Sequence, residues 1–233
     1  MRDFEKTKLY LDPPLLHSWD GGLTFNTGGL DKETSLKLSK LASKSKSIIE
    51  TGSGLSTLIF LFQDNVENVT SISPDLELHQ KLLEYSQDRL DFKKLNLYLD
   101  TSLNVLPKIL SLKRKFDFFY IDGSHGLTDV LLDLYYCSYL LEENGIVVLD
   151  DVNLYSVKIA FDFLRLQPGY TFKPELSFYF GNKSIFPRQL RSAVFIKNDS
   201  VHGFGDWGSQ PFVRNNSIKL RSGLFYFLKK KRF

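Results

Sequence analysis

With 233 residues, 42% of them hydrophobic and 24% charged, the chain is long enough to bury one sizeable core and does not have the composition of a disordered chain. Its net charge of +3, from 30 basic and 27 acidic residues, is too small to make nucleic acid an expected partner. The start Met1-Arg2-Asp3 is charged where a signal peptide would be apolar, no apolar run reaches the roughly 18 residues of a membrane span, and the lone Cys137 has no partner for an intrachain disulfide; the expectation is a cytoplasmic protein.

Residues 1–45 show no regular alternation and read as an N-terminal cap. Within it, Trp19 and Phe25 either line an acceptor pocket or pack as an extension or dimer contact, so a homo-oligomer stays open. Over residues 46–198, short apolar runs alternate with stretches of helical period, the pattern of βα units around a parallel sheet. Strands are expected at 47–51, 68–73, 95–100, 117–122 and 145–150, each ending in polar or acidic residues. Helices are expected at 56–62, 76–90, 103–110, 127–141 and 156–166, with Cys137 a buried thiol in the fourth. The loop 181–187 suits a hairpin return between last strands at 171–180 and 191–197, which makes the final pair antiparallel. Residues 199–233 form a C-terminal extension, in which 203–208 reads as a surface loop or a lid and the basic end as a solvated tail.

In open α/β sheets the ligand crevice lies outside the carboxyl ends of the strands, so the polar strand ends are where function is sought. The first strand ends Glu50-Thr51-Gly52-Ser53-Gly54 and leads directly into a helix, a turn that lets backbone approach a ligand at a helix N-terminus or simply makes a tight connection. A dinucleotide fingerprint would carry a third glycine where Thr57 stands, which disfavours a nicotinamide enzyme. The second strand ends at Ser73, with Asp75 either a ribose ligand or a helix N-cap, and the third ends Asp100-Thr101, with Asp100 open to the same two readings. Farther on, Ile121-Asp122-Gly123-Ser124-His125 and Leu149-Asp150-Asp151 put three carboxylates at two adjacent strand ends, where a divalent cation relieves their mutual repulsion. Oxygen donors of this kind suit Mg²⁺, or Ca²⁺ or Mn²⁺, better than Zn²⁺; in the plainer reading these are strand-end acids and Asp151 is a helix cap. His125, beside them, has a residue type suited to proton transfer, metal binding or capping.

The segment Glu50-x-Gly52-x-Gly54 resembles motif I of class I S-adenosylmethionine (SAM)-dependent methyltransferases, and the IDGSH and LDD segments resemble the subfamily that includes macrocin O-methyltransferase. The resemblance implies a Rossmann-like α/β fold, a mostly parallel seven-stranded sheet with an antiparallel last strand and helices on both faces. It implies SAM as cofactor, held at Glu50, Thr51, Gly52, Ser53, Gly54, Ser73, Asp75, Asp100, Thr101 and Asp122. By the same resemblance Asp122, Asp150 and Asp151 hold the metal; Asp122 and His125 are the expected catalytic residues, with general base favoured among the roles open to His125 from its place beside Asp122. The function expected is metal-assisted O-methylation of a small-molecule or sugar hydroxyl, with neither nucleic acid nor membrane as partner. The alternatives are a metal-independent transferase and a catalytically silent SAM-binding protein, which the missing acid at Ser73 keeps in play.

Overall fold

A computed structural model describes residues 3–16, 30–87, 89–180 and 189–198. Trp19, Phe25, residues 203–208 and the basic end lie outside the described residues.

The strands are β1 (Ser47–Thr51), β2 (Asn68–Ile72), β3 (Leu95–Tyr98), β4 (Phe116–Ile121), β5 (Leu141–Leu149), β6 (Tyr170–Phe172), β7 (Phe178–Tyr179) and β8 (Leu190–Lys197). They form an eight-stranded sheet in the order β3-β2-β1-β4-β5-β8-β6, with β7 also pairing β8. The first five run parallel, while β8 pairs antiparallel with β5, β6 and β7. The expected single strand over 171–180 is therefore two strands. The turn Lys173–Ser177 divides them: Leu176 N donates to Lys173 O at 3.1 Å and Ser177 Oγ donates to the same oxygen at 2.8 Å.

Each face of the sheet carries its own core, which strand parity makes possible because alternate side chains point to opposite faces. On one face Ile49, Phe119, Val147 and Phe195 pack against α5 (Ser102–Ser111), α6 (Leu127–Leu140) and α7 (Tyr155–Arg165). On the other, Ile48, Tyr120, Val148 and Val194 pack against α2 (Lys32–Ala42), α3 (Leu55–Phe62) and α4 (Leu76–Ser86). Phe4 and Leu9 bury against this second face too; Leu9 lies on the four-residue helix α1 (Lys8–Leu11), so the start of the cap packs onto the core.

Helix α4 stops at Ser86, short of the expected residue 90, and a 3-10 turn at Phe92–Lys94 leads into β3. Strand β5 begins earlier than expected because the chain passes from α6 straight into it. Asn144 then takes a left-handed φ of 62°, and the pairing with β4 shifts from Phe116↔Leu141 to Phe118↔Ile146. Lys197 on β8 is fully buried and closes the α6 terminus, its Nζ donating to Ser138 O at 2.7 Å and Leu141 O at 2.9 Å. A cation at the carbonyl end of a helix satisfies acceptors that the helix leaves open.

Candidate cofactor cavity and its acidic mouth

The strand order reverses between β1 and β4, and that switch point is where an open α/β sheet parts its loops to form a crevice. A cavity of about 690 Å³ opens there. Thr51 to Ser56 line it from the glycine loop, Ser73, Pro74 and Asp75 from the end of β2, Thr101 to Leu103 from the start of α5, and Asp122 to His125 from the end of β4. Leu30, just before α2, closes one wall.

Gly52 is required by the packing of the two central strands. Its φ is +87°, and a Cβ there would fall 2.1 Å from the carbonyl oxygen of Asp122. The two loops are stitched at this point, Gly52 N donating to Ile72 O and Asp122 N to Thr51 O, each at 2.9 Å. Thr57, the residue that replaces a third glycine, accepts from Gly54 N at 3.0 Å and donates to Glu50 in a short bond.

Glu50 lies beneath this loop. It shares the face of Ile48, which turns it toward α3, where the Ser56 hydroxyl donates to it at 2.7 Å and the Thr57 hydroxyl donates to its other oxygen. It is fully buried and absent from the cavity wall, and burial pushes its carboxyl up to about 7 against those hydroxyl donors. Glu50, implied by the resemblance to help hold SAM, supports the glycine loop from below in this structure.

Asp75 caps α4, its Oδ1 accepting from Leu78 N at 3.0 Å, and it also lines the cavity. Ser73 is buried at the cavity edge and accepts from Asp75 N at 3.2 Å. Asp100 stands differently. Its Oδ1 accepts from Thr101 N and from Asn104 Nδ2, both at 2.8 Å, and the cavity wall begins only at Thr101. Those donors hold its carboxyl below the usual range.

At the mouth, ligand atoms of Asp122, His125 and Asp151 all lie within 4.8 Å of one another. His125 Nε2 is 3.8 Å from Asp122 Oδ1 and 3.4 Å from Asp151 Oδ2. The His125 loop is fixed by Ser156 Oγ donating to its carbonyl and by Ser124 Oγ donating to Asp129, both at 2.5 Å. Asp151 takes a left-handed φ of 51°, which turns the chain sharply after β5 and brings its carboxylate to this cluster. Burial, then the charge of Asp150, pushes Asp122 up to about 7 and raises Asp151. The Asp122 carboxylate holds the His125 imidazole above its ordinary value.

Asp150, expected beside them as the third ligand, is engaged elsewhere. Tyr120 OH donates to its Oδ2 at 2.8 Å, the Ser192 hydroxyl donates to Oδ1, and Arg191 Nε stands 3.7 Å from Oδ1. Arg191 also reaches Asp31 Oδ2, the N-cap of α2, at 3.2 Å. Tyr120, Asp150 and Ser192 meet because β4, β5 and β8 are neighbours in register: Tyr120↔Val148 and Val148↔Val194. Arg191, Ser192 and the Thr57 support of Glu50 were not foreseen from sequence, although two polar residues opening an apolar strand were a usable signal.

Residues 49–152 match a family model described as a methyltransferase domain. No curated protein matches the sequence. Among solved structures, the chain is similar to an O-methyltransferase from Bacillus cereus in complex with S-adenosylhomocysteine (SAH), at TM-score 0.61 and 12% identity over 74% of this chain and 84% of that one. It is also similar to the O-methyltransferase TomG from Streptomyces achromogenes, involved in tomaymycin synthesis and solved with SAM, at TM-score 0.62 and 13% identity over 73% and 82%. A methyltransferase from Geobacter sulfurreducens aligns at TM-score 0.56 and 15% identity over 73% and 80%. Residues 49–152 are thus similar to a methyltransferase domain, and the chain has the Rossmann-like fold of the solved methyltransferases it resembles.

Proposed function

We propose that the protein transfers a methyl group from SAM to a hydroxyl of a small-molecule acceptor, with a divalent cation at the acidic mouth. The observation that carries this reading is the single cavity wall that runs from the glycine loop to Asp122 and His125, so that a cofactor on the loop presents its reactive end to the acid–imidazole cluster.

Thr51 to Gly54 would hold SAM along the glycine loop, with Ser73 and Asp75 available to its ribose and Thr101 and Ser102 to its base. Two carboxylates and an imidazole with convergent donor atoms fit a cation, because the carboxylates' like charges, together with that of Asp150, otherwise raise one another. Asp122 and Asp151 would hold Mg²⁺ or Mn²⁺, and the ion would lower the pKa of an acceptor hydroxyl. Asp150 joins them only by sharing the bonds it makes with Tyr120 and Ser192, so we read it as the support that fixes the Asp150–Asp151 corner. In the transfer itself, the acceptor oxygen attacks the sulfonium methyl in line, the C–S electron pair stays on sulfur to give SAH, and the hydroxyl proton passes to neutral His125. Most of the acceleration then comes from holding oxygen and methyl carbon in contact.

The test is calorimetry with SAH followed by transfer of labelled methyl from SAM to a panel of phenols, sugars and other hydroxylated molecules. A wild-type protein that does not bind SAH ends the reading. Turnover that persists in excess chelator ends its metal half.

A further inference from the structure

Arg191, the second residue of β8, is a buried cation to which the reaction above gives no part. Its guanidinium faces two carboxylates on different elements. Nη1 donates to Asp31 Oδ2 at 3.2 Å, and Nε stands 3.7 Å from Asp150 Oδ1. Asp31 is itself held in place as the N-cap of α2, accepting from Thr34 N at 2.8 Å and from Thr34 Oγ1 at 3.0 Å. The ring of Phe180 lies 5.6 Å from the guanidinium carbon. A planar fork of donors suits a site where two carboxylates are met at once, and a single ammonium does not replace it.

The main chain of Arg191 acts on the same corner. The register between β5 and β8 ends at Leu149↔Ala193, yet Val152 N donates to Arg191 O at 2.7 Å, so the pairing is taken up again just past Asp151. Asp151, with its φ of 51°, therefore stands between two holds: the guanidinium on Asp150 before it and the carbonyl on Val152 after it. A side-chain-bearing residue persists in a left-handed conformation only where its surroundings over-determine it. We propose that Arg191 is a positioning residue of the acidic mouth: it straddles the Asp150–Asp151 corner, keeps the Asp151 carboxylate directed at Asp122 and His125, and through Asp31 anchors that corner to α2 beside the cavity residue Leu30. The assignment rests on the cation reading above and goes beyond it by naming what holds the ligand atoms together.

The experiment is calorimetric titration of the full chain with Mn²⁺, and separately with SAH, in the wild type and in Arg191→Met. The variant should bind Mn²⁺ about 10–100-fold more weakly, the loss found when the support behind a metal ligand is removed, while SAH affinity falls by less. The sign of the change separates positioning from charge alone, because deleting a positive charge beside two carboxylates would by itself tighten a cation. Should Arg191→Met fail to fold, Arg191→Lys carries the test: it keeps the charge and loses the fork, and Mn²⁺ binding should still weaken several-fold. Unmoved or tighter Mn²⁺ binding in the folded variant overturns the assignment alone, and so does an equal loss for Mn²⁺ and SAH, which marks a general loosening of the protein. A wild type that binds SAH and no Mn²⁺ overturns the metal half of the proposed function and this assignment with it.

Discussion

Replacing Gly52 by alanine perturbs the central seam of the sheet at one atom. The added Cβ would lie 2.1 Å from the Asp122 carbonyl oxygen and 2.7 Å from its carbonyl carbon, both backbone atoms that cannot swing away. Holding a side-chain-bearing residue at positive φ costs about 1–2 kcal/mol. Relieving an overpacked contact by backbone shift adds about 1–3 kcal/mol. The seam's bonds, Gly52 N to Ile72 O and Asp122 N to Thr51 O, stretch in the same movement. The sum is about 2–5 kcal/mol, read as a lowered denaturant midpoint at unchanged slope. Gly123 is the internal control, since a Cβ there meets nothing closer than 3.4 Å, and Gly123→Ala should cost under about 1 kcal/mol. Urea unfolding followed by far-UV circular dichroism, with SAH calorimetry on each variant, measures both effects. A Gly52→Ala protein as stable as Gly123→Ala would refute the steric reasoning. Loss of SAH binding in Gly52→Ala would then not by itself identify Gly52 as a ligand contact, because the same substitution displaces Asp122.

Glu50 predicts a pH effect with a definite sign. Its folded pKa of about 7 exceeds its ordinary value of 4.5, so the folded state holds the proton more tightly; this contribution is intact below about 4.5 and is lost as pH rises through about 7. Glu50→Gln should remove a slope on the order of 3 kcal/mol from the stability profile between pH 5 and 8, and a variant whose profile parallels the wild type would contradict the burial argument. Lys197→Met strands the Ser138 and Leu141 carbonyls in the core and should cost about 2–4 kcal/mol in the same unfolding assay. Adding Mg²⁺ or Mn²⁺ should raise the melting temperature of the wild type, and neither Asp122→Asn nor Asp151→Asn should respond. His125→Gln should lower turnover by roughly 10²–10⁴-fold while SAH affinity stays within a few-fold, and equal losses in both would remove it from the chemistry.

The alternation of apolar runs made the parallel sheet legible, because a strand covered on both faces leaves an uninterrupted apolar signature. It did not reveal the break inside 171–180, since Lys173 and Pro174 interrupt a run whose flanks pair with the same strand, β8. Nor did it give the early start of β5, where Glu142, Glu143 and Asn144 carry no strand signal and only the pairing of Leu141 with Phe116 defines the element.

The candidate site divides along a physical line. Every acid singled out stood at or near a strand end, and by sequence spacing alone they were equivalent. Parity separates Asp150 from Asp151. Glu50 follows Ile48 and Asp150 follows Val148 onto one face, so both carboxylates enter the core on that side and are met by hydroxyls of α3, β4 and β8. Asp151 lies one residue farther into its loop, where a left-handed turn redirects it to the mouth, whereas Asp122, level with Asp150 in register, reaches the mouth directly from the end of β4. Thr51 falls on the opposite face, with Ile49, where its hydroxyl is buried toward the core. In an adjacent pair of acids, the one two residues past an inward-facing strand residue is therefore better read first as a buried support and only then as a ligand. The adjacent residue in the loop is the better candidate for contact with substrate. Applied to Asp150-Asp151, that rule assigns the support to the first acid and the ligand to the second, and a shared metal response of Asp150→Asn and Asp151→Asn, with Asp150→Asn fully stable, would break it.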